Sequence, residues 1–200
     1  TGYYYISVSG SSTCMTYTLG IIWGGAGSKT GTFTDYRDGK TYKWILIGAQ
    51  IWMAENLNVG TRINGSLNQA SNGVIEKYCY GDAESNCNLY GGLYQWDEMM
   101  QYSEYEEERG VCPEGWHIPS DDEWKTLEIS LGMSQTSANQ TDWRGSDEGG
   151  KLKSTSTLWD APNTGATNAS GFTALPTGNR NSGGTFNGIG FFTDFWTSTF

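Results

Sequence analysis

The pattern of apolar and polar positions marks one helix start clearly, just past the middle of the chain. Ser120 and Glu123 form an S-x-x-E capping box, in which each side chain accepts a hydrogen bond from a backbone N–H that the helix leaves unpaired. Trp124 and Leu127 then fall on one helical face, where they can be buried together. The pattern therefore predicts a helix over residues 120–131.

A second helix is predicted from apolar residues that lie upstream of the first. Leu93, Trp96 and Met99 recur at intervals of three residues, which gives one apolar stripe along a helix. The predicted helix spans residues 94–105. The acidic stretch 104–109 is expected to form its solvated end, because a run of like charges is most stable in water.

Alternation of aromatic and polar residues predicts a β-hairpin at the start of the chain. Residues 3–7 and 16–19 are its two strands, and the glycine-rich residues 24–28 follow as a flexible linker. The chain is therefore divided into a small hairpin unit over residues 1–30 and a larger domain over residues 31–200.

The larger domain begins with a second pair of strands, residues 43–47 and 50–53, joined by a tight turn. Glycine-rich strands are predicted again near the C-terminus. Two short helices, a long hairpin and these later strands together indicate an α+β fold with a twisted antiparallel sheet.

Composition and charge limit the possible functions. Nine tryptophans and 36% hydrophobic residues are enough for a substantial core. The net charge of −10 repels phosphate backbones and anionic lipid, so neither nucleic acid nor a membrane surface is an expected partner. The longest apolar run, residues 45–54, is far below the roughly 20 residues that span a bilayer.

The four cysteines favour an oxidising, extracellular environment. Cys79 and Cys87 enclose a short, turn-rich loop, which a disulfide would close with roughly 2–3 kcal/mol of stabilisation. We favour this pair, with Cys14 and Cys112 left by elimination, but sequence alone keeps three connectivities open. Zinc would need more histidines, and His117 is the only one.

Five motifs occur in order over residues 33–200: DYRDGKTYKWILIGAQIWMAENLN, YCYGDAESNCNLYGGLYQWDEMM, CPEGWHIPSDDEWKTL, GGKLKST and SGFTALPTGNRNSGGTFNGIGFFTDFWTST. Together they resemble the Fibrobacter succinogenes major paralogous domain. The resemblance implies a C-type-lectin-like fold, with formylglycine-generating enzymes as distant relatives and with closing strands beyond residue 200 that this chain is expected to lack. The N-terminal segment GYYYISVSGSSTCMTYTLG also resembles the C-terminal hairpin of type IV pilins.

Enzymatic activity is not expected. The formylglycine-generating relatives rely on a reactive cysteine pair or on metal-bound thiolates, whereas Cys79 and Cys87 are predicted to be structural. No Ser/His/Asp or Cys/His set can be assembled around His117, which we interpret as a packed, hydrogen-bonded histidine.

A calcium ion is the candidate cofactor. Asp82, Glu84 and Asn86 supply hard oxygen ligands within one loop, and calcium is common outside the cell. The alternative is that these side chains are simply solvated turn residues. The sugar-binding triplets EPN, QPD and WND of calcium-dependent lectins are absent from the sequence.

The candidate ligand surface lies near the C-terminus, where amides alternate with aromatic residues on a glycine-rich backbone. Aromatic anchors beside adaptable amides give affinity without catalytic chemistry. In lectin-like proteins that resemble this one, this region displays the binding residues. The alternative is that the aromatic residues are core and the asparagines serve turns. The candidates are Asn179, Arg180, Asn181, Asn187, Phe191, Phe192, Asp194 and Trp196.

These observations favour an extracellular, non-enzymatic binding or adhesion module that recognises a protein or a glycan, displayed at a cell surface or on a pilus-like fibre. Two alternatives stay open. One is a structural subunit of a pilin-like filament, for which neighbouring subunits would be the partners. The other is a degenerate protein of the formylglycine-generating type.

Overall fold

The computed structural model describes residues 14–16, 29–141 and 143–199. Helices and strands are both present, and the main sheet is antiparallel, so the predicted α+β class is confirmed. The C-type-lectin-like assignment stays a prediction. Apart from residues 14–16, the predicted N-terminal hairpin and the linker 24–28 lie outside the described residues.

The strands fall into one four-stranded sheet and two small pairs. The order in the main sheet is β1-β4-β3-β2, and β5 pairs with β6 and β7 with β8. The ribbon predicted over residues 43–47 and 50–53 is confirmed, since β3 pairs with β4. The strands are β1 (Met15–Thr16), β2 (Thr30–Asp35), β3 (Lys40–Ile47), β4 (Gln50–Met53), β5 (Thr61–Arg62), β6 (Glu76–Lys77), β7 (Thr177–Arg180) and β8 (Phe186–Ile189).

The described residues contain more helices than the two that were predicted. The loop between Cys79 and Cys87 is itself largely helical: it holds the 3₁₀ turn Tyr80–Asp82 and the first half of a helix, where sequence analysis expects only turns. The α-helices are α1 (Glu84–Tyr90), α2 (Trp96–Met99), α3 (Asp121–Ser130), α4 (Gln135–Ala138) and α5 (Glu148–Leu152).

The two predicted helices differ in how well their bounds agree with the structure. Helix α3 is confirmed, and both halves of its capping box are formed, with Ser120 as the N-cap. The helix predicted over residues 94–105 is too long, because α2 is a single turn. Gln101 and Tyr102 adopt positive φ angles of 51° and 63°, a left-handed conformation that cannot continue a helix.

The main sheet is packed on both faces. Neighbouring residues of a strand point to opposite sides, and β4 uses this to bury Trp52 on one face and Met53 on the other. Trp52 packs with Trp124 and Leu127 of α3, and the two tryptophan ring centroids lie 4.7 Å apart. Met53 belongs to a second buried cluster, which includes Met99 of α2.

Two disulfides settle the connectivity that sequence left open. Cys79 is bonded to Cys87, as predicted, and Cys14 is bonded to Cys112. The second bond ties the start of β1 to the segment before α3. Structural disulfides form and persist in oxidising compartments, which places the protein outside the cytoplasm.

Among the described residues, no helix combines the length and the apolar character needed to cross a membrane.

Candidate functional site

A cleft of about 350 Å³ opens where the start of α2 faces the end of β7. Four of its side chains are aromatic, and the others include amide, hydroxyl and guanidinium groups. The cleft is lined by Tyr78, Leu93, Tyr94, Gln95, Trp96, Asn179, Arg180, Asn181, Ser182 and Trp196.

Two tryptophans tie the opposite walls of the cleft together. The indole N–H of Trp96 donates to the carbonyl of Thr197 at 2.9 Å, and the indole N–H of Trp196 donates to the carbonyl of Tyr94 at 2.8 Å. Each ring therefore anchors the segment that carries the other. Both tryptophans stay partly exposed, so ring surface is left for contact with a ligand.

Arg180, at the end of β7, is held by three contacts. Its Nε donates to the carbonyl of Gly65 at 2.8 Å, and its Nη2 donates to the carbonyl of Leu67 at 3.0 Å. The guanidinium also lies over the ring of Tyr78, with its central carbon 4.5 Å from the ring centroid. Stacking suits the planar guanidinium, so these contacts fix both its position and its plane.

Gln95 and Asn181 present amide donors, because their oxygens are already engaged. Oε1 of Gln95 accepts the backbone N–H of Gln69 at 2.7 Å and lies 2.9 Å from the hydroxyl of Tyr78. Oδ1 of Asn181 accepts the backbone N–H of Thr185 at 3.0 Å. The amide nitrogens of Gln95 and Asn181 make no hydrogen bond with the described residues, which leaves them available to a ligand.

The structure brings together four of the eight residues predicted to bind a ligand. Asn179, Arg180, Asn181 and Trp196 all line the cleft. Three of them are consecutive at the end of β7 and in the turn that follows. The fourth comes from the last described segment of the chain, so the cleft draws on both parts of the predicted surface.

The other four predicted residues lie outside the cleft. Asn187 and Phe191 are exposed, and Phe192 is half-buried. The expected exposure of Asp194 is wrong: it is buried, and its carboxylate accepts a hydrogen bond from the amide of Asn179 at 3.0 Å. Asp194 therefore positions a cleft residue from inside the protein.

The pattern of the sequence does not select six of the ten residues that line the cleft. It assigns Trp96 to the buried face of a helix and gives Tyr78 and Gln95 no role. The local signal was the run of aromatic and amide residues in YGGLYQW, which has the same mixed character as the C-terminal candidate surface. A contact between two segments about a hundred positions apart cannot be read from either segment alone.

The predicted calcium ligands are all engaged with protein groups. Asp82 accepts the backbone N–H of Gly65 at 2.7 Å, Glu84 lies 3.5 Å from Arg62, and Asn86 donates its amide N–H to a carbonyl of the preceding 3₁₀ turn. Across the part of the chain that the structure describes, no group of three or more His, Cys, Asp or Glu residues could hold a metal ion. The calcium site stays a prediction.

The cysteines and the histidine lie away from the cleft. All four cysteines form disulfides, and His117 is buried at the start of α3. The described residues that line the cleft include no Asp, Glu, His or Cys.

A larger hollow of about 650 Å³ lies against β3 and the end of α1. Part of its polar lining is paired internally: Lys43 lies 3.2 Å from Glu55, and Asn56 donates to the carbonyl of Tyr90 at 2.7 Å. None of the predicted ligand residues lines it. We favour the smaller cleft because its donors are oriented and still available.

Comparison with known proteins identifies the family. Residues 45–200 match the Fibrobacter succinogenes major domain, so the chain belongs to this family and the resemblance carried by its motifs is confirmed. No curated protein matches the chain, and no solved structure does.

Proposed function

We propose that this protein is an extracellular, non-enzymatic binding module that attaches to glycans through the cleft. One observation carries the proposal: Trp96 and Trp196 are partly exposed beside oriented amide and guanidinium donors within one concave surface. Concave sites with aromatic walls and a few fixed polar groups are where proteins usually hold small ligands.

A sugar ring matches this mixture of groups. Its C–H face is apolar and packs against an indole ring, while its hydroxyls both donate and accept hydrogen bonds. The amides of Gln95 and Asn181 supply donors. Asn179 uses its amide N–H on Asp194, which leaves its Oδ1 as an acceptor for a sugar hydroxyl.

The cysteines support binding outside the cell over catalysis. The two disulfides are typical of a secreted protein, which fits an adhesion module displayed at a cell surface or on a pilus-like fibre. All four cysteines are oxidised, whereas chemistry of the formylglycine-generating type relies on reactive thiolates.

The test is a glycan array and a peptide array, both probed with the full chain and with a variant whose cleft is blocked. Ser182 is exposed at the cleft, so Ser182→Trp should fill it without entering the core. Thr185→Trp is the matched control, since Thr185 is exposed on the same hairpin outside the cleft.

The proposal predicts glycan binding that Ser182→Trp abolishes and Thr185→Trp retains. Binding only to peptides, or glycan binding that both variants retain, would show that the cleft does not have this function. Equal melting temperatures for the two variants would show that any loss of binding comes from the blocked cleft.

A further inference from the structure

The cleft is unusual in its charge. The chain carries a net charge of −10, yet the described residues that line the cleft include one cation, Arg180, and no carboxylate. Arg37, Arg62 and Arg144 each form an ion pair with Asp or Glu. The side chain of Arg109 donates to the carbonyl of Cys112 and forms no ion pair with the described residues. Arg180 forms no such pair with the described residues.

The free part of the guanidinium has a shape that suits an anion. Of its five N–H donors, Nε and one N–H of Nη2 are used on the carbonyls of Gly65 and Leu67. These two bonds lie on one edge of the group. The other edge, formed by Nη1 and the second N–H of Nη2, keeps the parallel pair of donors that binds a carboxylate or a sulfate through two oxygens.

The neighbouring side chains add donors to the same surface. The side-chain oxygens of Gln95 and Asn181 accept backbone N–H groups, which orients both amides. Their amide nitrogens make no hydrogen bond with the described residues and are available to a ligand. A cleft with one unpaired cation and two amide donors favours a ligand rich in acceptors.

Arg180 is also fixed in place before any ligand arrives. The turn that receives its hydrogen bonds is itself held, since the backbone N–H of Gly65 donates to Asp82 at 2.7 Å and the Tyr78 hydroxyl lies 2.7 Å from the carbonyl of Leu67. The guanidinium therefore loses little freedom on binding, which raises the affinity that its contacts can provide.

We infer that the cleft selects an acidic saccharide, whose carboxylate or sulfate group is bound by the free edge of Arg180 while a sugar ring packs on Trp96 or Trp196. This inference rests on the proposed glycan-binding function and specifies its ligand class. Neutral sugars offer hydroxyl acceptors but no negative charge to pair with the guanidinium.

The experiment compares matched glycans on the full chain by titration calorimetry. The probes are a galacturonic acid trisaccharide, its methyl ester, a 6-sulfated galactose trisaccharide and the unsulfated form, together with any glycan retained in the array and its acid-free counterpart. The acidic member of a bound pair should bind about tenfold more tightly, as expected for hydrogen bonds to a charged group. Comparing the galacturonic acid pair with the sulfated galactose pair shows which acid is preferred. Added salt should reduce the difference in affinity between the acidic and the neutral member of a pair.

Two variants test the role of Arg180. Arg180→Gln should abolish the preference for the acidic form, and Arg180→Lys should restore only part of it because lysine lacks the planar pair of donors. Since either change could weaken folding through Gly65 and Leu67, Ser182→Asp is the second test. It adds a negative charge to the cleft while leaving the contacts of Arg180 intact, and Thr185→Asp is its control on the same hairpin.

Ser182→Asp should reduce the preference for the acidic over the neutral glycan about tenfold, because the added negative charge repels the acid, whereas Thr185→Asp should retain the preference. The inference is overturned if only neutral glycans bind, or if each acidic glycan binds no more tightly than its methyl ester or its unsulfated form. It is also overturned if Arg180→Gln and Ser182→Asp both leave the preference for the acidic glycan unchanged. A failure of the proposed function gives a different result, because then no glycan binds at all and the inference falls with it.

Discussion

His117 and Glu123 face each other at the start of α3, with Nε2 of the histidine 3.0 and 3.1 Å from the two carboxylate oxygens. The same carboxylate accepts the backbone N–H of Ser120 at 2.9 Å, so one side chain both caps the helix and holds the imidazole. Both side chains are buried, where a polar group needs partners. The interpretation of His117 as a packed, hydrogen-bonded histidine is confirmed.

This arrangement predicts graded losses of stability. Ser120→Ala removes the hydroxyl half of the capping box and should cost about 1 kcal/mol. Glu123→Ala removes the carboxylate that accepts the backbone N–H of Ser120 and faces Nε2 of His117, and should cost about 2–4 kcal/mol. Urea denaturation measures both, with Ser130→Ala as a control at the exposed end of the same helix. A control that loses as much as Ser120→Ala would show that the cap contributes nothing specific.

The carboxylate of buried Asp35 makes the protein sensitive to acid. Burial acts to raise the pKa of Asp35, but hydrogen bonds from the side chain and backbone of Arg37 outweigh it, so the pKa lies below its ordinary value of 3.8. The unfolded chain then binds a proton at this residue more readily than the folded chain does. Stability from this pair is therefore present above about pH 4 and is lost as the pH falls through the lower pKa of the folded state.

We therefore expect Asp35→Asn to be less stable than the unmodified chain at pH 7, with a gap that narrows as the pH falls from 5 toward about 2. Chemical denaturation at several pH values measures the gap. Asp122→Asn is the matched control, because Asp122 is exposed at the start of α3. A gap that stays constant with pH would contradict the role of the Asp35 carboxylate.

Gly188 in β8 combines a backbone requirement with a steric one. Its φ is +73°, and an added Cβ would collide with the ring of Phe192. Gly73 has a similar φ of +78° but open space around it. Gly73→Ala should cost about 1–2 kcal/mol from the left-handed backbone alone, and Gly188→Ala about 1–3 kcal/mol more from overpacking. Thermal melts of the two variants decide this, and equal melting temperatures would rule out the steric contribution.

Trp196 and Phe191 should differ strongly in their effect on stability. Trp196 packs against the buried cluster that contains Met53, and its indole N–H holds the carbonyl of Tyr94. Trp196→Ala should therefore cost about 3 kcal/mol. Phe191 is 72% exposed, so Phe191→Ala should change stability by less than about 0.5 kcal/mol. A similar loss for both variants would mean that Phe191 is packed in solution.

The two disulfides should contribute unequally, because they close loops of different length. The Cys79–Cys87 bond spans 8 positions, whereas the Cys14–Cys112 bond spans 98. Loop-closure entropy gives roughly 2–3 kcal/mol for the first and roughly 5 kcal/mol for the second. Paired Cys→Ala variants, compared by denaturant unfolding, should reproduce that order. The reverse order would show that local packing outweighs the constraint on the unfolded chain.

Sequence predicts local features well and the ends of elements less well. The start of α3 is predicted correctly because Ser120 and Glu123 are neighbours whose hydrogen bonds are formed within four residues. The end of α2 is not, because the left-handed turn depends on packing: the hydroxyl of Tyr102 donates to the buried carboxylate of Glu98 at 2.8 Å. An apolar stripe reports which face is buried but not where the backbone leaves the helix.

The cleft residues also fall into those that the sequence predicts and those that it does not. Arg180 and Trp196 stand in one aromatic and amide-rich stretch, so the sequence is enough to select them as candidates. Gln95 belongs with them only because Trp96 and Trp196 bond to each other's segments across the fold. The burial of Asp194 could not be predicted from the sequence either. Nothing in the residues around Asp194 indicates that its carboxylate pairs with Asn179 inside the protein.

The Cys14–Cys112 bridge also determines how the molecule would bear mechanical tension. A pull on the chain before Cys14 and after the last described residue would pass through the sulfur atoms and then along residues 113–199, bypassing the 98-position span between the two cysteines. The main sheet and α2 lie within that shielded span, whereas β7 lies on the loaded segment. The two walls of the cleft would thus experience different forces, and a ligand that contacts both would act as a clamp between them.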